Sequence, residues 1–402
     1  MRHCEARSNP EKQFKLKMNS KKQHNPEASE SIDSSRRTGL RGNDMLSDGQ
    51  RGNDMPSEAL ESMSSLQRYV RGMGSMLSKA SAVFILTDEN VAPFWLPEVA
   101  HWLHCDAATD IIIKSGEEHK NLQTVQRIWK TLMKHHADRN ALLVNLGGGV
   151  ITDLGGFAAS TYKRGIMFIN VPTTLLAMVD AAIGGKTGID FGSAKNQIGT
   201  FAEAEGVLIN PNFLITLPTR ELLSGLSEMQ KYGFIADGKL LQVDLENYEQ
   251  YIVRAGEIKR EIVAQDPQEA GLRKVLNFGH TFGHAIESHD LTTDHPLLHG
   301  ESVALGMCAA LWLSVKQLGL DAKVLQSYEK QLPMLLSEAE IALSEADVEP
   351  ILSYLVYDKK NKGEKPQFVL LKAVGEPVWD VEVEPSLVRE ALDYVITKVS
   401  KR

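Results

Sequence analysis

Four short apolar runs recur between residues 82 and 174, and this recurrence constrains the fold more than any other feature of the chain. The runs are AVFILTDEN, ATDIIIKSGEEHKN, NALLVNLGGG and GIMFINVPTT, and each closes on polar residues or glycine. Such a run is typical of a strand buried on both faces of a parallel sheet. Val125, Ile128, Trp129 and Leu132 fall at helical spacing between the second and third runs. Strands that alternate with helices predict an α/β domain with a parallel sheet.

After Leu217 the strand patterns fade, and long apolar stretches take their place. One of them is SVALGMCAALWLSVKQLGL, Ser302–Leu320, which we interpret as an amphipathic helix. The second half of the chain is therefore predicted to be largely helical.

The first 60 residues have a different composition from the rest. Only 14 of them are apolar, and the pentapeptide RGNDM occurs at Arg41–Met45 and again at Arg51–Met55 without forming a structural repeat. Such a segment buries too little surface to offset the entropy lost on ordering, so it is predicted to be a disordered tail. A functional tail is the alternative to a dispensable extension, and the composition favours the extension.

Composition and charge also exclude several classes of protein. No run of about 18 apolar residues is present, so no membrane span is predicted. The N-terminus lacks the apolar core of a secretion signal, and Cys4, Cys105 and Cys308 are too few for a disulfide framework or a cysteine-rich zinc site. These features predict a cytoplasmic protein. The net charge of -8 argues against nucleic acid as the main partner.

A glycine turn, Gly147–Gly149, directly follows the third predicted strand. Glycine lets the backbone approach a pyrophosphate, and the next helix offers free N–H groups and its positive dipole end. The string is not the G-x-G-x-x-G motif, so a plain tight turn stays an alternative. The loops Thr87–Asn90 and Ser115–Lys120 follow two other strands and carry carboxylates that suit ribose hydroxyls. Together the three loops favour a nucleotide site.

A group of cations lies among small and apolar residues further along. Lys186 and Lys195 each adjoin glycine or alanine, Asn196 follows the second lysine, and Arg164 precedes both. A single basic residue is more often a solvated surface charge. The small-residue surroundings favour a phosphate-binding cluster over that reading.

Two histidines, His280 and His284, stand four residues apart in the apolar string LNFGHTFGHAIE. On a helix they share one face. The glutamate of the zinc-protease motif H-E-x-x-H is missing, because Thr281 follows the first histidine. A metal pair and a pair of hydrogen-bonded core histidines both remain open.

More metal-ligand candidates lie on either side of that pair. His295 and His299 follow it, and Glu228 and Lys231 place charges inside an earlier apolar run. One carboxylate and two imidazoles would leave an open position on a catalytic zinc or a similar ion. Spacing alone does not choose the two imidazoles from the four candidates.

Seven strings occur in order over residues 83 to 371. They are GGGVITDLGGFAASTYKRG, VPTTLLAMVDAAIGGKTGID, KNQIGTF, SEMQKYGFI, AGLRKVLNFGHTFGHAIE, HGESVALGM and DKKN. Together they closely resemble the 3-dehydroquinate synthase family of sugar phosphate cyclases. The resemblance implies an α/β N-terminal Rossmann-like domain, residues 61–217, plus an all-α C-terminal domain, residues 218–402, following the tail of residues 1–60.

The resemblance also implies an activity, a carbon–oxygen lyase acting on a phosphate. The expected reaction converts 3-deoxy-D-arabino-heptulosonate 7-phosphate to 3-dehydroquinate and phosphate in the shikimate pathway. It uses NAD, which is oxidant and then reductant on one bound substrate and is not consumed, and a divalent metal, zinc or cobalt. A small-molecule sugar-acid phosphate is thus the expected partner, with no nucleic acid and no membrane, and the protein is expected to be a homodimer.

Site residues follow from the resemblance by motif. The implied metal ligands are Glu228, His280 and His299, and His284 is an active-site histidine outside the metal set. Implied cofactor contacts are Asp88, Glu117, Lys120, Gly148, Gly149, Asp153, Thr173, Thr174, Lys186 and Lys195. Implied substrate and phosphate contacts are Asp180, Lys186, Lys195, Asn196, Arg164, Lys231, Lys259, Arg273 and Asn277. Lys359 or Lys360 would add a further phosphate contact, and the string does not decide between them.

One departure and three alternatives accompany this assignment. The family opens with a strand pair where this chain has SLQRYVRGMGSMLSK, which alternates poorly. One alternative is another cyclase such as 2-deoxy-scyllo-inosose synthase, and a second is an iron-dependent polyol dehydrogenase. The third is an inactive homologue that only binds ligands. The joint presence of His284, Arg273, Asn277 and Lys259 argues against the first, the phosphate-binding lysines against the second, and a filled metal set against the third.

Overall fold

The computed structural model describes residues 77–192, 194–291, 293, 295–356 and 366–400. The predicted tail of residues 1–60, most of the string SLQRYVRGMGSMLSK, and Lys359 and Lys360 lie outside these ranges. Within them, none of the helices combines the length and the apolar character that a membrane span requires.

The first half is built on a five-stranded parallel sheet. Its strands are β1 (Val83–Asp88), β2 (Thr109–Ile113), β3 (Leu142–Gly147), β4 (Met167–Pro172) and β7 (Gly206–Val207). Strands β5 and β6, which precede β7 in the chain, form a separate hairpin that is described below. Their order across the sheet is β2-β1-β3-β4-β7, and every neighbouring pair is parallel. All four predicted strands are thereby confirmed, and their carboxyl ends meet at one edge of the sheet.

Three helices connect these strands: α1 (Ala92–Trp102), α2 (Leu122–Lys134) and α3 (Gly149–Thr161). In α2, Val125, Ile128 and Leu132 are fully buried, as their spacing predicts, and they pack with β1, β2 and β3 in one apolar core. Asn121 ends the preceding loop by accepting a hydrogen bond from the Thr124 backbone N–H at 3.1 Å, which caps the helix. The core therefore fixes the loops that follow β1, β2 and β3.

An antiparallel hairpin, β5 (Lys186–Phe191) and β6 (Ala194–Phe201), packs beside α3. Asp190 pairs with Asn121 in a β-bridge, and its N–H donates to the Lys120 carbonyl at 2.8 Å. The hairpin is thus joined to the loop after β2. The lysines of the predicted phosphate cluster, Lys186 and Lys195, lie on its two strands.

The second half is mostly helical, as predicted. Its helices are α4 (Thr219–Ile235), α5 (Ile252–Gln265), α6 (His280–Asp290), α7 (His299–Leu313), α8 (Ala322–Leu335), α9 (Val348–Val356) and α10 (Pro385–Val399). It also contains an antiparallel hairpin, β8 (Gln367–Ala373) and β9 (Glu376–Glu382), so the description all-α is corrected to mostly helical. The predicted division into domains at residue 217 falls between a 3₁₀ turn, Pro211–Thr216, and α4, and it stays a prediction.

Helix α7 is the centre of this half, with α4, α6, α8 and α10 packed around it. Nearly every residue of α7 is buried, which corrects the amphipathic interpretation of its sequence. A side chain at Gly300 would place its Cβ 2.0 Å from the Ser224 carbonyl oxygen on α4, and one at Gly306 would lie 2.0 Å from the Gly279 carbonyl oxygen before α6. These backbone contacts bring the first turn of α7 against α4, and a residue two turns further along against the backbone just before α6.

Candidate active site

Three helices bring a carboxylate and three imidazoles together. Nitrogen atoms of His280, His284 and His299 lie within 4.8 Å of one another. Glu228 Oε1 lies 3.4 Å from His280 Nε2 and 3.5 Å from His299 Nε2, and it accepts no hydrogen bond from the described residues. Two nitrogens and one buried oxygen facing a common point are a donor set that suits zinc or cobalt.

The charges of this group also suit a cation. Burial opposes the charge of Glu228, but Lys231, His280 and His299 together outweigh it and lower the pKa of that carboxyl to about 2. Burial lowers the pKa of His280 to about 3, so this imidazole is neutral. The pKa of His299 is raised to about 10, since Glu287 and Glu228 outweigh the effect of burial. A bound metal would replace the His299 proton, because a coordinating imidazole must be neutral.

His284 is part of the same cluster. Its ring centroid lies 5.3 Å from that of His280 and 5.7 Å from that of His299. Distance alone would admit it as a ligand, and the contacts of Glu228 favour His280 and His299 instead. The assignment of His284 to the substrate side therefore stays a prediction.

Asp180 organises the cations next to this centre. It lies in a π-helical turn, Ala177–Ala181, of the kind often found at functional sites. Its Oδ1 is 2.9 Å from Lys259 Nζ and 3.5 Å from Lys231 Nζ, and it accepts a hydrogen bond from Tyr232 Oη at 2.6 Å. Lys231 Nζ also lies 2.5 Å from Glu228 Oε2, so one lysine joins the donor set to the Asp180 group.

The electrostatic state of this group follows from its burial. Burial opposes the charge of Asp180, but Lys231 and Lys259 lower its pKa well below the ordinary value. Burial lowers the pKa of Lys259. The group thus holds a charged aspartate among close-packed cations, which is a setting that an anionic substrate would stabilise.

A second group surrounds the 3₁₀ turn Leu272–Asn277. Arg273 is 1% exposed and donates to the Gly184 carbonyl at 2.8 Å and to the Pro267 carbonyl at 2.6 Å. Asn277 Nδ2 donates to Glu269 Oε1 at 2.7 Å, and Lys186 forms an ion pair with the same carboxylate. Asn277, Lys186 and Arg273, all predicted substrate contacts, are therefore close neighbours.

Glu269 was missed by the sequence analysis. It lies in the loop between α5 and the 3₁₀ turn and has a φ of 59°, in the left-handed region that few residues adopt. The carboxylate of Asp266 shapes this loop by accepting hydrogen bonds from the N–H groups of Ala270, Gly271 and Arg273 at 2.7 to 3.0 Å. No apolar period marks a loop of this kind, so pattern reasoning had no signal for it.

On the sheet side, Lys120 connects several predicted cofactor contacts. It is 4% exposed, with Nζ 2.7 Å from Asp153 Oδ2 and 3.7 Å from Glu117 Oε1. The same nitrogen donates to Asn196 Oδ1 at 2.7 Å, which ties the hairpin to this group. Burial would lower the pKa of Lys120, but Asp153 and Glu117 raise it above the ordinary value.

The remaining predicted cofactor contacts lie at the carboxyl ends of the strands. Asp88 ends β1 and accepts hydrogen bonds from the N–H groups of Asn90 at 2.8 Å and Val91 at 3.0 Å. Gly148 and Gly149 form the turn into α3, and a Cβ on Gly148 would lie 2.9 Å from Thr174 Cγ2. Thr173, at the end of β4, donates its N–H to the Gly147 carbonyl at 3.0 Å. Open α/β sheets bind their ligands at this edge.

Glu287, which the sequence analysis also missed, connects Lys195 on the hairpin to His299 on α7. Glu287 Oε1 is 2.7 Å from Lys195 Nζ, and Glu287 Oε2 is 3.4 Å from His299 Nδ1. Burial opposes the charge of Glu287, but His299 and Lys195 lower its pKa below the ordinary value. A signal existed, because Glu287 follows His284 by three residues and His280 by seven, which is one helix face.

Arg164, another predicted substrate contact, lies at the far end of α3 from the glycine turn. It is exposed and follows the C-terminal end of α3, whereas Gly149 begins that helix. The rise of a 13-residue helix separates the two ends by about 20 Å. Within one chain, Arg164 therefore lies away from the glycine turn and the groups around it.

Solved structures with the same fold define the class. The 2-epi-5-epi-valiolone synthase of Streptomyces hygroscopicus subsp. jinggangensis 5008, solved with NAD+ and Zn2+, has a TM-score of 0.70 and 25% identity over 81% of this chain and 92% of that one. A 2-deoxy-scyllo-inosose synthase solved with carbaglucose-6-phosphate, NAD+ and Co2+ has a TM-score of 0.69 and 24% identity over 79% and 91%. An iron-containing alcohol dehydrogenase of Thermococcus thioreducens has a TM-score of 0.57 and 15% identity over 83% and 96%. The fold is that of the sugar phosphate cyclases, and the alcohol dehydrogenases share it less closely.

Sequence comparison narrows the class to one family. The family models for the 3-dehydroquinate synthase N-terminal and C-terminal parts match residues 110–224 and 225–361. The 3-dehydroquinate synthase of Parabacteroides distasonis is 40% identical over 329 residues, 79% of this chain and 92% of the relative. That of Methylococcus capsulatus is 41% identical over 327 residues, 77% and 89%. The chain belongs to the 3-dehydroquinate synthase family.

Proposed function

We propose that this protein converts 3-deoxy-D-arabino-heptulosonate 7-phosphate to 3-dehydroquinate and phosphate, as a carbon–oxygen lyase of the shikimate pathway. The observation that carries the proposal is the contact chain Glu228–Lys231–Asp180–Lys259, which places a metal donor set directly beside buried cations. A net dehydrogenase needs a metal and a nicotinamide, but it has no use for a phosphate-binding cluster. The sequence relatives named above carry the same activity in their names.

We further propose that NAD and a divalent ion, zinc or cobalt, are the cofactors, as in the related cyclase structures. Glu228, His280 and His299 would hold the metal, and the strand-end loops with Lys120 and Asp153 would hold the dinucleotide. When bound, the two groups supply transient hydride removal and return and the polarisation of the reacting oxygen. The chain's own contribution is to bind, orient and neutralise the substrate around them.

Several residues have contacts that suit these tasks. Lys186, Arg273 and Asn277 lie together on one side and offer donors to an anionic group, which planar Arg and compact Lys bind in different ways. Lys259 and Lys231 stand ready to neutralise negative charge that develops near the metal. Lys195 and Asn196 lie on the hairpin, where Lys195 contacts Glu287 and Asn196 contacts Lys120.

Proton transfer needs groups that accept a proton near the substrate. His284 lies beside the metal donor set, and Glu269 contacts both Lys186 and Asn277. We propose these two residues as the proton acceptors, because each is a base within reach of a substrate bound to its neighbours.

We also propose that the protein is a homodimer. Support comes from Arg164, whose exposed side chain follows the far end of α3 from the glycine turn. The resemblance assigns a substrate phosphate contact to Arg164, and a site shared between two copies would let this end of α3 supply it. A cytoplasmic location and the absence of nucleic-acid or membrane partners stay predictions.

The test uses the full chain with Co2+, the seven-carbon substrate and NAD well below the substrate concentration. Phosphate release and absorbance of NADH are followed together. Many phosphates per NAD, with no accumulating NADH, are the expected result. Product capped at one equivalent of NAD, with NADH accumulating, would overturn the proposal in favour of a polyol dehydrogenase. Absence of both signals from a metal-loaded, folded protein would favour the inactive homologue.

A further inference from the structure

Glu287 connects two parts of the site that are far apart in sequence. It lies on α6, on the face that carries His280 and His284, and it is 5% exposed. One of its oxygens is 3.4 Å from His299 Nδ1 on α7, and the other is 2.7 Å from Lys195 Nζ on the hairpin. A single buried carboxylate thus contacts a metal-ligand candidate and a cation of the nucleotide half.

The contact with His299 has the form of a support for a metal ligand. His299 directs Nε2 toward Glu228, at 3.5 Å, and Nδ1 toward Glu287. A carboxylate on the second nitrogen of a ligating imidazole fixes its tautomer and ring orientation and raises its basicity. His280 receives its support from the backbone instead, since its Nδ1 lies 3.2 Å from the Phe278 carbonyl oxygen. Of these two ligands, His299 is therefore the one whose support is a charged side chain.

The contact with Lys195 gives that support a second partner. Lys195 Nζ also lies 3.7 Å from Glu117 Oε1, in the loop after β2. Lys195 is 22% exposed at its side chain, whereas Glu287 is buried, so the lysine is the member of the pair that ligands can reach. Any change that draws Lys195 toward the nucleotide loop would alter how far its positive charge neutralises Glu287.

We propose that Glu287 is a positioning residue that orients His299 for metal binding and couples the metal centre to the β5–β6 hairpin through Lys195. The inference rests on the proposed metal set of Glu228, His280 and His299. It adds a reciprocal effect, because a coupling between two binding sites acts equally in both directions.

The first experiment measures Co2+ affinity of the metal-free full chain by visible absorption titration, without substrate. Glu287→Gln keeps the shape of the side chain and removes its charge, and we expect Co2+ affinity to fall about 10–100-fold. The matched control is Glu329→Gln. Glu329 lies on α8, and its Oε1 is 2.9 Å from Lys398 Nζ, so the substitution also removes a paired carboxylate. The control is expected to bind Co2+ like the parent chain, and a folded Glu287→Gln protein that does so as well would overturn the inference.

A second variant tests the coupling even if Glu287→Gln folds poorly. Lys195→Met removes the cation that partly neutralises Glu287, so the carboxylate supports a positively charged metal centre more strongly and Co2+ affinity is expected to rise about fivefold. In the Glu287→Gln background the same substitution is expected to change affinity by less than about twofold. Unchanged affinity in the single Lys195→Met variant, or an equal change in both backgrounds, would overturn the coupling.

A further control separates this inference from the proposed function. Glu228→Gln removes a proposed ligand itself and is expected to abolish the Co2+ absorption bands. If Glu228→Gln binds Co2+ normally, the metal set is wrong and the inference about Glu287 falls with it. If Glu228→Gln loses Co2+ while Glu287→Gln keeps it, the metal set stands and the positioning role alone fails.

Discussion

The two halves of the site handle charge in different ways. On the sheet side, the side chains of Glu117 and Lys195 are 35% and 22% exposed and stand on loops or a hairpin. On the helical side, Glu228 is 0%, Lys231 1% and Arg273 1% exposed, and they lie within helices or a short turn. Apart from the buried Lys120, the nucleotide half therefore offers its charged groups to solvent, whereas the metal half has already removed its charges from water and neutralised them against one another.

This difference indicates which residues contribute both to stability and to catalysis or binding. A buried charge is tolerated only with its partner, so a residue of the metal half contributes to stability and to chemistry at once. An exposed charge contributes little to stability, so a residue of the nucleotide half acts mainly on binding. The same kind of substitution should thus have different consequences on the two sides.

The largest effect is expected at Lys231. Lys231→Met leaves Glu228 and Asp180 without the cation that both contact, and removing one partner of a buried pair costs about 3–5 kcal/mol of unfolding free energy. Phosphate release should be lost as well. Urea unfolding with and without Co2+ measures the first effect, and a loss below about 1 kcal/mol, as for a surface pair, would break the contrast between the halves.

The next effect separates the histidines of the cluster. His299→Ala is expected to lose bound metal and activity together, because it removes a proposed ligand. His284→Ala is expected to retain metal and to lower turnover about 10²–10⁴-fold, the range for a general base. Metal content and phosphate release are measured on the same samples. Loss of metal from His284→Ala would make His284 a ligand.

A smaller effect is expected at Asp266, which shapes the loop of Glu269 without belonging to the cluster. Asp266→Asn replaces an acceptor with an amide that opposes the N–H groups of Gly271 and Arg273, and misplacing the loop should lower kcat/KM by up to about 100-fold. A kcat/KM equal to that of the parent chain would show that this loop does not depend on the carboxylate.

The pKa of Asp266 gives the same substitution a pH signature. Backbone hydrogen bonds from Gly271 lower this pKa below its ordinary value of 3.8. A carboxyl group whose pKa is lower in the folded protein stabilises the fold at pH values above its pKa in the unfolded chain. This stabilisation is lost as the pH falls through the pKa of the folded protein. The difference in thermal midpoint between the parent chain and Asp266→Asn should stay constant from about pH 7 to about pH 5, because the carboxyl group is ionised in both the folded and the unfolded state there. The difference should shrink in more acidic solution. A difference that grows with acid would contradict this assignment.

Glu117 tests the sheet side of the comparison. Glu117→Gln removes a half-exposed carboxylate, so the unfolding free energy should change by less than about 1 kcal/mol. NAD affinity should fall about tenfold, the value of one hydrogen bond to a charged group. Calorimetric NAD titration and urea unfolding provide the two numbers. A large stability loss with unchanged NAD affinity would reverse the distinction between the halves.

The smallest effect is expected from the N-terminal tail. A chain that begins at Glu61 should retain full activity, because residues 1–60 have too few apolar side chains to join a core and carry none of the family strings. Phosphate release at matched protein concentration is the measurement. Loss of folding or of substrate affinity would assign a role to the tail.

The sequence predicted the sheet side of the fold better than the helical side. Strands β1 to β4 are apolar runs of the expected length, and α2 shows its buried face at Val125, Ile128 and Leu132. The sequence pattern misrepresented α7, because a helix surrounded by other helices has no polar face to set a period. It gave no sign of the β8–β9 hairpin either, where packing against neighbouring elements decides the conformation.

The site shows the same division. Candidates inside unusual strings, such as His280, His299 and Lys186, could be named from the sequence and lie in the cluster. Glu269 and Glu287 could not be given roles, since their partners Lys186 and Lys195 are 83 and 92 residues away in the chain. Contacts across such distances depend on the packing of whole elements, which local patterns do not encode.

The glycine contacts of α7 have a mechanical consequence. Gly306 touches the backbone before α6 and Gly300 touches that of α4, so the helix can neither slide along its axis nor rotate without a collision. His299 is the first residue of the same helix, about 10 Å along the helix axis from Gly306. A displacement imposed at Gly306 would be transmitted undiminished to His299. The position of this imidazole therefore depends on two close backbone approaches, one at the adjacent Gly300 and one at Gly306, two turns away from the chemistry.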